Sequence, residues 1–445
     1  MLVSFTFENW RSFRDASILN LVASSEKQHG NRVSKINKYG FRLLPTAAIY
    51  GGNASGKSNL IKALQFAGWM ITQGPAVKEG IPLDTYRLDD TRHKPSRFAF
   101  VILVKDKEND QEQIYEYGFT LNKTKVLDEK LVCVHKSSEI VLFERQDGVT
   151  SIFHKSIKDD PTLHAVLNST RDNQLFLTNA AGQNTSLYKT KQIIQVFDWF
   201  ARLTLISPDD VVLNMKLEPF IEQIGDILAL MGVGIEKLKF VEMDFASSNI
   251  PPRVMDDVKK SLLGDSGKVE THSPSGDRYI ISGEDGKLTV RKLVSVHQGD
   301  IDFDLKDDSD GTVRVVDLLP AFLGAARQGS ERVYVIDELD RSLHTLLTRQ
   351  LLKSYFMSCF PESRSQIIFT THDALQMDQN LLRRDEMWIT DRKNDGSTEL
   401  VPLSSFKEIR KDKSIRTSYL RGQLGGIPKL LLHGAFPQEV IEEDE

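Results

Sequence analysis

Three short segments of the chain carry residue types that can perform phosphate chemistry. The first, GGNASGKS at residues 51–58, fits the pattern G-x-x-x-x-G-K-[ST], whose glycines let the backbone curl so that successive N–H groups point at one anion. Lys57 is expected to bind the β- and γ-phosphates, and Ser58 to bind Mg²⁺. The residues expected to line the nucleotide are Gly51, Asn53, Ala54, Ser55, Gly56, Lys57, Ser58 and Asn59. The loop therefore predicts binding of a nucleoside triphosphate.

The other two segments supply a pair of carboxylates and an imidazole. VYVIDELD is a buried-strand pattern that ends in Asp337 and Glu338, and such a pair at the carboxyl end of a strand lies beside the phosphate loop in doubly wound sheets. Asp337 is expected to join the Mg²⁺ shell through water, and Glu338 to orient and polarise the attacking water. IIFTTHD places His372 at the tip of the following strand, within reach of a γ-phosphate. Together these segments predict hydrolysis of the nucleotide as well as its binding.

Each segment also has an interpretation without chemistry. A glycine-rich loop can match the pattern by chance, acidic residues are favoured at the start of any helix, and a lone histidine usually belongs to the core or the surface. The flanking sequence favours the chemical interpretation of the loop, because the apolar run Thr46–Tyr50 precedes it and helix-compatible residues follow it. A scaffold that binds ATP without turnover is a further alternative, against which the intact Glu338 argues.

The periodicity of apolar residues predicts the elements that position these segments. In the N-terminal part, residues 2–7 and 17–22 alternate as the strands of a hairpin, and Thr46–Tyr50 leads through the loop into a helix over 59–70. Residues 97–134 have the alternation of three strands separated by charged or Asn/Lys turns. An antiparallel sheet appended to the first lobe is therefore expected.

The second half predicts helices followed by an α/β sheet. Helical spacing covers residues 188–203 and 218–231, and residues 278–293 form a hairpin with Asp285 and Gly286 at the turn. The helices and buried strands that alternate after this hairpin cover residues 313–326, 333–337, 345–356 and 366–371, with a last strand around 387–390. Such alternation is typical of a parallel sheet.

These elements predict an α/β fold with a parallel core sheet, an appended antiparallel sheet and a helical insertion. Three regions are expected: an N-terminal lobe at 1–185 with the phosphate loop, a mainly helical insertion at 186–265, and a C-terminal lobe at 266–445 with the acidic pair and His372. No repeat or sustained heptad pattern interrupts this organisation.

Composition and charge narrow the class of protein. The 445 residues, 40% hydrophobic and 27% charged, are typical of a soluble globular protein with a large core. A net charge of −5 and a pI near 6.1 give no overall electrostatic footprint for nucleic acid, although a local basic face is compatible with them. Cys133 and Cys359 lack metal-ligand spacing, and the opening residues lack the layout of a signal peptide. With no apolar run near the roughly 20 residues that span a bilayer, a cytoplasmic protein without a membrane partner is expected.

The phosphate loop, the acidic strand and the strand with His372 resemble those of ABC-type ATPases of the SMC, Rad50 and RecF kind. The opening FENWRSFRD is similar to the F-x-N-[FYW]-[RK]-S-F start of these proteins. The resemblance implies an ABC/SMC-head-like P-loop fold, ATP with Mg²⁺, and a homo-oligomer whose heads sandwich two nucleotides head to tail. It also implies that a serine-glycine signature from the opposite head completes each nucleotide site. The best match is DDSDGTVRVVDLLP, in which Ser309, Gly311 and Thr312 start a helix before the acidic pair.

Further segments resemble a narrower bacterial group, the OLD-like and abortive-infection AAA ATPases. The signature is similar to the ESDGT of that group and departs from the LSGGQ of transporters, while IDELDRSLH and the tail SYLRGQLGGIP match two more of its segments. His344 stands where transporters have an aspartate and where this group commonly has histidine. Either Gln174 or Gln183 could be the residue that corresponds to the glutamine loop of ABC-type ATPases. This resemblance covers nearly the whole chain.

The narrower resemblance implies an ATP-hydrolysing sensor or regulator of a bacterial antiphage system, similar to the RloA, PtuA and AriA types. The segment after His372 is too short for the TOPRIM nuclease that follows the ATPase in OLD enzymes, and we find no nuclease motif. A separate effector protein, such as a nuclease or a toxin, and a phage-derived trigger are therefore expected. The alternative is a RecF- or Rad50-like DNA-maintenance ATPase on duplex DNA, which predicts a basic surface across the paired heads and DNA-stimulated turnover.

Overall fold

The computed structural model of the chain is built on two large sheets, one antiparallel and one mainly parallel, and a smaller third sheet. It describes residues 1–106, 109–146, 149–188, 191–207, 217–244, 247–252, 254–255, 258, 262, 267–273, 276–284, 287–406 and 415–427. Its helices are α1 (Lys57–Thr72), α2 (Lys155–Lys158), α3 (Pro161–Ser169), α4 (Phe176–Ala181), α5 (Gln192–Ala201), α6 (Ile221–Met231), α7 (Asp310–Ala326), α8 (Thr345–Met357) and α9 (Ile415–Leu420). Among the described residues, no helix is both long enough and apolar enough to cross a bilayer.

The core sheet holds the segments that carry the predicted chemistry. Its strands, in spatial order, are β11 (Thr204–Ile206), β17 (Val333–Ile336), β18 (Gln366–Thr370), β5 (Thr46–Tyr50), β19 (Met387–Arg392) and β20 (Thr398–Pro402). The first five are parallel and β20 is antiparallel to β19. Every residue of β5, β17 and β18 is buried, as in strands covered on both faces. Because β18 lies between β17 and β5, its tip lies between the acidic pair and the phosphate loop.

The core sheet separates two hydrophobic cores. Val333 and Val335 of β17 join the core that contains α1, α5 and the antiparallel sheet. Tyr334 and Ile336 of the same strand join the core that contains α7 and α8. This division follows from the pleat, which points alternate side chains to opposite faces of a strand. The predicted α/β fold with a parallel core sheet and an appended antiparallel sheet is confirmed.

The antiparallel sheet has seven strands. In spatial order they are β10 (Val149–Phe153), β9 (Glu139–Gln146), β8 (Val126–Val134), β7 (Glu112–Leu121), β6 (Ser96–Lys105), β1 (Leu2–Glu8) and β2 (Ser17–Asn20). The predicted hairpin and the predicted appended sheet are therefore one sheet, because Thr6 pairs with Ile18 on one side and with Ala99 on the other. Aromatic side chains pack across this junction, and the ring centroids of Phe5 and Phe100 lie 4.6 Å apart with the rings tilted by 31°.

The third sheet lies in the second half of the chain. Its strands are β12 (Ile235–Met243), β15 (Lys287–His297), β14 (Arg278–Glu284) and β13 (Gly267–His272), and β16 (Ile301–Asp304) pairs with β15. A small pair, β3 (Ser34–Ile36) and β4 (Phe41–Leu43), stands apart from the three sheets. The predicted hairpin at 278–293 is present, while its turn residues Asp285 and Gly286 lie outside the described residues.

The region predicted as a mainly helical insertion contains α5 and α6 but also contributes two strands. The short strand β11 joins the core sheet and β12 joins the third sheet. This region is therefore hydrogen-bonded into two neighbouring sheets, and the three-region division of the chain stays a prediction.

Candidate nucleotide-binding site

The phosphate loop connects β5 to α1 through a turn that only glycine can make at two positions. Gly51 and Gly56 have φ angles of 155° and 114°. A Cβ atom at Gly51 would lie 2.4 Å from the Oγ atom of Ser55 and 2.4 Å from the Oγ1 atom of Thr390. At Gly56 it would lie 2.6 Å from the Cγ2 atom of Thr398. The two fixed glycines of the sequence pattern are thus required by backbone conformation and by close packing.

Lys57 begins α1 and is buried beneath the loop. Its Nζ atom donates to the backbone oxygens of Gly51 at 2.7 Å and Gly52 at 3.1 Å, and lies 3.2 Å from Nδ1 of His372. Burial lowers the pKa of Lys57 to about 8, and the negative charges of Asp337 and Glu338 oppose this shift. A buried ammonium that bonds to the loop's own carbonyls is poised to exchange them for phosphate oxygens.

The acidic pair follows β17 and is oriented by the neighbouring strand β18. The hydroxyl of Thr370 donates to Oδ1 of Asp337 at 2.5 Å, and it accepts from the backbone N–H of Glu338 at 2.8 Å. Glu338 has a φ angle of 50°, a left-handed conformation that costs a non-glycine residue about 1–2 kcal/mol. Such strain persists only where the surroundings impose it, and it concentrates at functional positions. Thr370 thus fixes both the buried carboxylate of Asp337 and the turn that presents Glu338.

His372 lies between Lys57 and Glu338. Its Nδ1 atom faces Lys57 Nζ, and its Nε2 atom is 3.6 Å from Oε1 of Glu338. The backbone N–H of His372 donates to Oδ2 of Asp340 at 3.2 Å. The structure therefore brings the lysine, the histidine and the glutamate into one row across the tips of β5, β18 and β17, at the edge where ligands bind in open α/β sheets.

The predicted signature lies at the start of α7, apart from this row. Ser309 is the N-cap residue, and its Oγ atom accepts from the N–H of Thr312 at 3.2 Å. A Cβ atom at Gly311 would lie 2.8 Å from the backbone oxygen of Ser342, so the signature packs against the turn after the acidic pair. Within the described part of the chain, no hydrogen bond joins Ser309 or Thr312 to residues 51–58.

Two residues that support the phosphate loop, Thr390 and Thr398, carry no signal in the sequence. Thr390 of β19 bonds to the Ser55 hydroxyl at 2.7 Å, and Thr398 of β20 donates to the backbone oxygen of Ser55 at 3.0 Å. Ser12 belongs to the opening segment that carried the resemblance; its hydroxyl accepts from Nδ2 of Asn59 at 2.8 Å and lies 2.9 Å from the hydroxyl of Thr398. The opening segment therefore supports the loop from outside the core sheet.

His344 and the two glutamines singled out in the sequence do not contact the phosphate loop through hydrogen bonds in the described part of the chain. His344 caps α8 by accepting from the N–H of Leu346 at 3.2 Å. In the described part of the chain, neither Gln174 nor Gln183 has a hydrogen bond to the phosphate loop.

Ser58 and Asp337 are the residues that could hold Mg²⁺. They offer a hydroxyl oxygen and a carboxylate oxygen, which suit this ion because it keeps several waters and takes few protein ligands beside phosphate.

The comparison with protein families decides the class of the chain. A family model described as "AAA domain, putative AbiEii toxin, Type IV TA system" matches residues 47–378, which is more than half of the sequence. The chain belongs to this AAA-domain family. The matched part of the AAA domain runs from β5 to beyond His372, so it includes the phosphate loop, the signature and the acidic pair.

Two solved structures are similar to the AAA-domain chain at low identity. One is an SMC head bound to the C-winged helix domain of ScpA, with 13% identity, 90% of this chain and 97% of that chain covered, and a TM-score of 0.38. The other is an SMC head domain with an extended coiled coil, bound to the C-terminal domain of ScpA derived from Pyrococcus furiosus, with 11% identity, coverage of 90% and 95%, and a TM-score of 0.38. A comparison with curated proteins finds no match.

The lowered pKa of Lys57 predicts that the AAA domain binds nucleotide less tightly as the pH rises. A triphosphate favours the charged ammonium, so binding above pH 8 must be accompanied by proton uptake, and affinity falls as the pH rises through the pKa of about 8. We expect the dissociation constant of a non-hydrolysable Mg-ATP analogue to be about tenfold higher at pH 9 than at pH 7. Isothermal titration calorimetry over this range measures the effect.

The Lys57→Arg variant is the control for this pH dependence. Arginine stays protonated throughout this pH range. The dissociation constant of the analogue for the Lys57→Arg variant should therefore be the same at pH 7 and pH 9, whether or not it equals that of the wild type. A flat profile for the wild-type protein would show that its Lys57 keeps its proton above pH 8 and that the burial is relieved in solution.

Proposed function

We propose that this AAA-domain protein is an ATP-hydrolysing regulator of a bacterial antiphage system of abortive-infection type, acting in the cytoplasm. Nucleotide-dependent association of its heads would control a separate effector protein. The row formed by Lys57, His372 and Glu338 is the observation that carries the proposal, because it combines a phosphate-binding cation with a carboxylate that can polarise water.

Each side chain of the row has a role that its position permits. Lys57 would leave the carbonyls of Gly51 and Gly52 and bind the β- and γ-phosphates. Glu338 would orient and polarise the attacking water, and His372 would contact the γ-phosphate between them. Ser58 and Asp337 would hold Mg²⁺, which neutralises charge on the phosphate oxygens.

Two features support a second copy of the chain as the cover of this site. Ser309 and the start of α7 make their described hydrogen bonds away from the phosphate loop, so the signature is available to another head. Leu346 and Leu375, near the two histidines of this edge, are 68% and 49% exposed. The two segments that carry them are joined by the bond from Nε2 of Gln376 to the backbone oxygen of Thr345 at 3.0 Å. A second head that placed its signature on the triphosphate would also cover these leucines.

The finer assignment rests on the tail and the signature. We place the chain in the OLD-like group because DDSDGT and SYLRGQLGGIP are similar to segments of that group. The family description names a putative AbiEii toxin of a Type IV toxin–antitoxin system, which supports a role in abortive infection. The separate effector, such as a toxin or a nuclease, and the phage-derived trigger are part of the proposal. The antiparallel sheet and the region at 186–265 are additions to the core sheet and are the surfaces we assign to partner recognition.

A mixing experiment tests both hydrolysis and head pairing. Lys57→Ala removes the phosphate-binding cation, and Ser309→Asp keeps an N-cap oxygen but places a negative charge where the signature would meet the partner's triphosphate. Each variant alone should be inactive. An equal mixture should recover about one quarter of wild-type turnover, because half of randomly paired dimers are mixed and each mixed dimer has one complete site. Phosphate release in the presence of Mg-ATP measures this recovery.

Two outcomes would count against the proposal. Wild-type turnover by Ser309→Asp alone would remove the signature from the site, and a mixture no more active than its components would exclude a shared site. Turnover that appears only with duplex DNA would favour the DNA-maintenance alternative over effector control.

A further inference from the structure

The end of α9 and the segment that follows it contact the phosphate loop. We call residues 419–427 the C-terminal strap. The backbone N–H of Gly52 donates to the backbone oxygen of Gly426 at 2.5 Å, and the hydroxyl of Tyr419 donates to the same oxygen at 3.0 Å. Burial and the nearby charge of Asp391 raise the pKa of Tyr419 to about 12, so its phenol keeps the proton that it donates. One carbonyl of the strap thus joins the start of the loop to the strap's own aromatic residue.

The strap packs so closely against β19 that two of its glycines have no room for a side chain. Gly425 and Gly426 have φ angles of 72° and 68°. A Cβ atom at Gly426 would lie 2.6 Å from Cγ2 of Ile389 and 3.5 Å from Cα of Gly51. A Cβ atom at Gly425 would lie 2.6 Å from Oδ2 of Asp391. Glycine is therefore required at both positions by the left-handed backbone conformation and by the close approach to β19, while Gly426 is in van der Waals contact with the loop.

Asp391 holds the strap from the core sheet. Its Oδ1 atom accepts from the backbone N–H of Gly426 at 2.9 Å. Asp391 follows Thr390 in β19, and Thr390 is the residue whose hydroxyl bonds to Ser55 inside the loop. The strap and the loop are thus tied to consecutive residues of one strand.

The part of the loop under the strap is the part that holds Lys57. The backbone oxygens of Gly51 and Gly52 accept from Lys57 Nζ, while the N–H of Gly52 is bound to the strap. The orientation of these peptides determines where the ammonium lies and how the later N–H groups of the loop point. A shift of the strap would therefore be transmitted to the phosphate-binding groups.

We propose that the C-terminal strap sets the conformation of the phosphate loop, with Tyr419 and Asp391 as positioning residues, so that the strap determines nucleotide affinity. The inference rests on the proposed nucleotide binding, and it adds a control element that lies far along the chain from the loop. A partner that displaced the strap would weaken nucleotide binding without touching the nucleotide.

Substitutions in the strap test this role with a non-hydrolysable Mg-ATP analogue and with Mg-ATP. Tyr419→Phe should raise the dissociation constant of the analogue about fivefold, the effect of losing one neutral hydrogen bond. Gly426→Ala should raise it further, because the new methyl group must push the strap away from Ile389 and Thr390 and so shift the oxygen that accepts from Gly52. The Michaelis constant for ATP should rise with the dissociation constant while kcat stays within about twofold, the pattern of lost uniform binding.

The strap itself offers a matched control. Gly422 has a φ angle of 76°, but a Cβ atom there would have no neighbour within 4 Å. Gly422→Ala therefore imposes the same left-handed strain as Gly426→Ala without contact to the loop, and its affinity should equal that of the wild type. Asp391→Ala should weaken binding and Asp391→Asn should restore it, because the amide oxygen can still accept from Gly426.

The outcomes separate this inference from the proposed function. Wild-type protein that does not bind the analogue would overturn the proposed function and the strap's role with it. Tight wild-type binding that is unchanged in Tyr419→Phe and Gly426→Ala would overturn the strap's role alone. The same is true if Gly422→Ala weakens binding as much as Gly426→Ala, because strain in the tail would then explain the effect.

Discussion

Replacing Glu338 with glutamine is expected to slow ATP hydrolysis about 100-fold or more, the effect of removing a general base, while nucleotide binding is retained. The amide has the shape of the carboxylate but can neither accept a proton nor strongly polarise water. The turn that presents residue 338 is held by the backbone bond to Thr370, which the substitution keeps. Phosphate release at saturating Mg-ATP and calorimetric binding of a non-hydrolysable analogue measure the two properties separately.

The same variant should also report on head pairing. If nucleotide joins two heads, a site that binds ATP without cleaving it holds them together, so light scattering should detect a persistent dimer of Glu338→Gln in Mg-ATP. Glu331→Gln is the matched control. Glu331 lies before the amino end of β17, whereas Glu338 follows its carboxyl end, and Glu331 pairs with Arg202 at 3.7 Å. Equal turnover in Glu338→Gln and in the wild type would remove Glu338 from its assigned role.

The parts of the site that could be predicted from sequence are those encoded in short local patterns. A buried strand followed by glycines and a lysine predicts β5, the loop and α1, and a buried strand ending in two carboxylates predicts β17 and the turn after it. In each case the elements and the chemistry are specified by neighbouring residues. The boundaries differ by only a few residues, since α1 begins at Lys57 and the prediction began at residue 59.

The arrangement of those parts depends on pairings between distant residues. The row needs β18 between β17 and β5, an order that no local pattern specifies, because Lys57 and His372 are 315 residues apart in the chain. Thr390 and Thr398 are ordinary strand residues in the sequence and become supports of the loop only through the pairing of β19 with β5 and β20. The C-terminal strap was recognisable as a family segment, yet its contact with Gly52 required the folded chain.

Strand β11 lies in the region predicted as a mainly helical insertion and depends on a tertiary contact. Residues 188–203 have helical spacing, and the helix α5 ends at Ala201. Thr204–Ile206 then turns into the core sheet, where Leu205 pairs with Val335 and the backbone N–H of Asp337 donates to the oxygen of Ile206 at 2.8 Å. The three-residue strand is stabilised by its neighbour β17, and its own residues specify it only weakly.

Arg314 links the signature helix to the acidic pair, and no motif singled it out. The guanidinium is buried one turn after Ser309, and its NH2 group donates to the backbone oxygens of Asp337 and Glu338 at 3.1 Å each. Burial lowers the pKa of Arg314. Because α7 carries the predicted signature at its first turn, a movement of this helix in the proposed head pairing would reach the acidic pair through these two hydrogen bonds.

Arg314→Met is therefore expected to uncouple the signature from the acidic pair. Turnover should fall between about tenfold and 100-fold, which corresponds to about 1.4–2.8 kcal/mol of activation free energy. Binding of the analogue should change little, because the phosphate loop is not touched. The free energy of unfolding should also fall by about 3 kcal/mol, since two hydrogen bonds from a charged donor are lost. Steady-state kinetics at a temperature well below the unfolding midpoint separates the loss of turnover from the loss of stability.

Two further variants serve as controls for the Arg314→Met experiment. Arg327→Met removes an exposed guanidinium at the other end of α7, so it should leave both turnover and stability unchanged. Arg314→Lys keeps the charge but replaces the planar fork by a single ammonium, and it should recover part of the turnover. If Arg314→Met were only destabilised and kept wild-type kcat, Arg314 would be a structural residue and α7 would act on the partner's nucleotide without signalling to its own acidic pair.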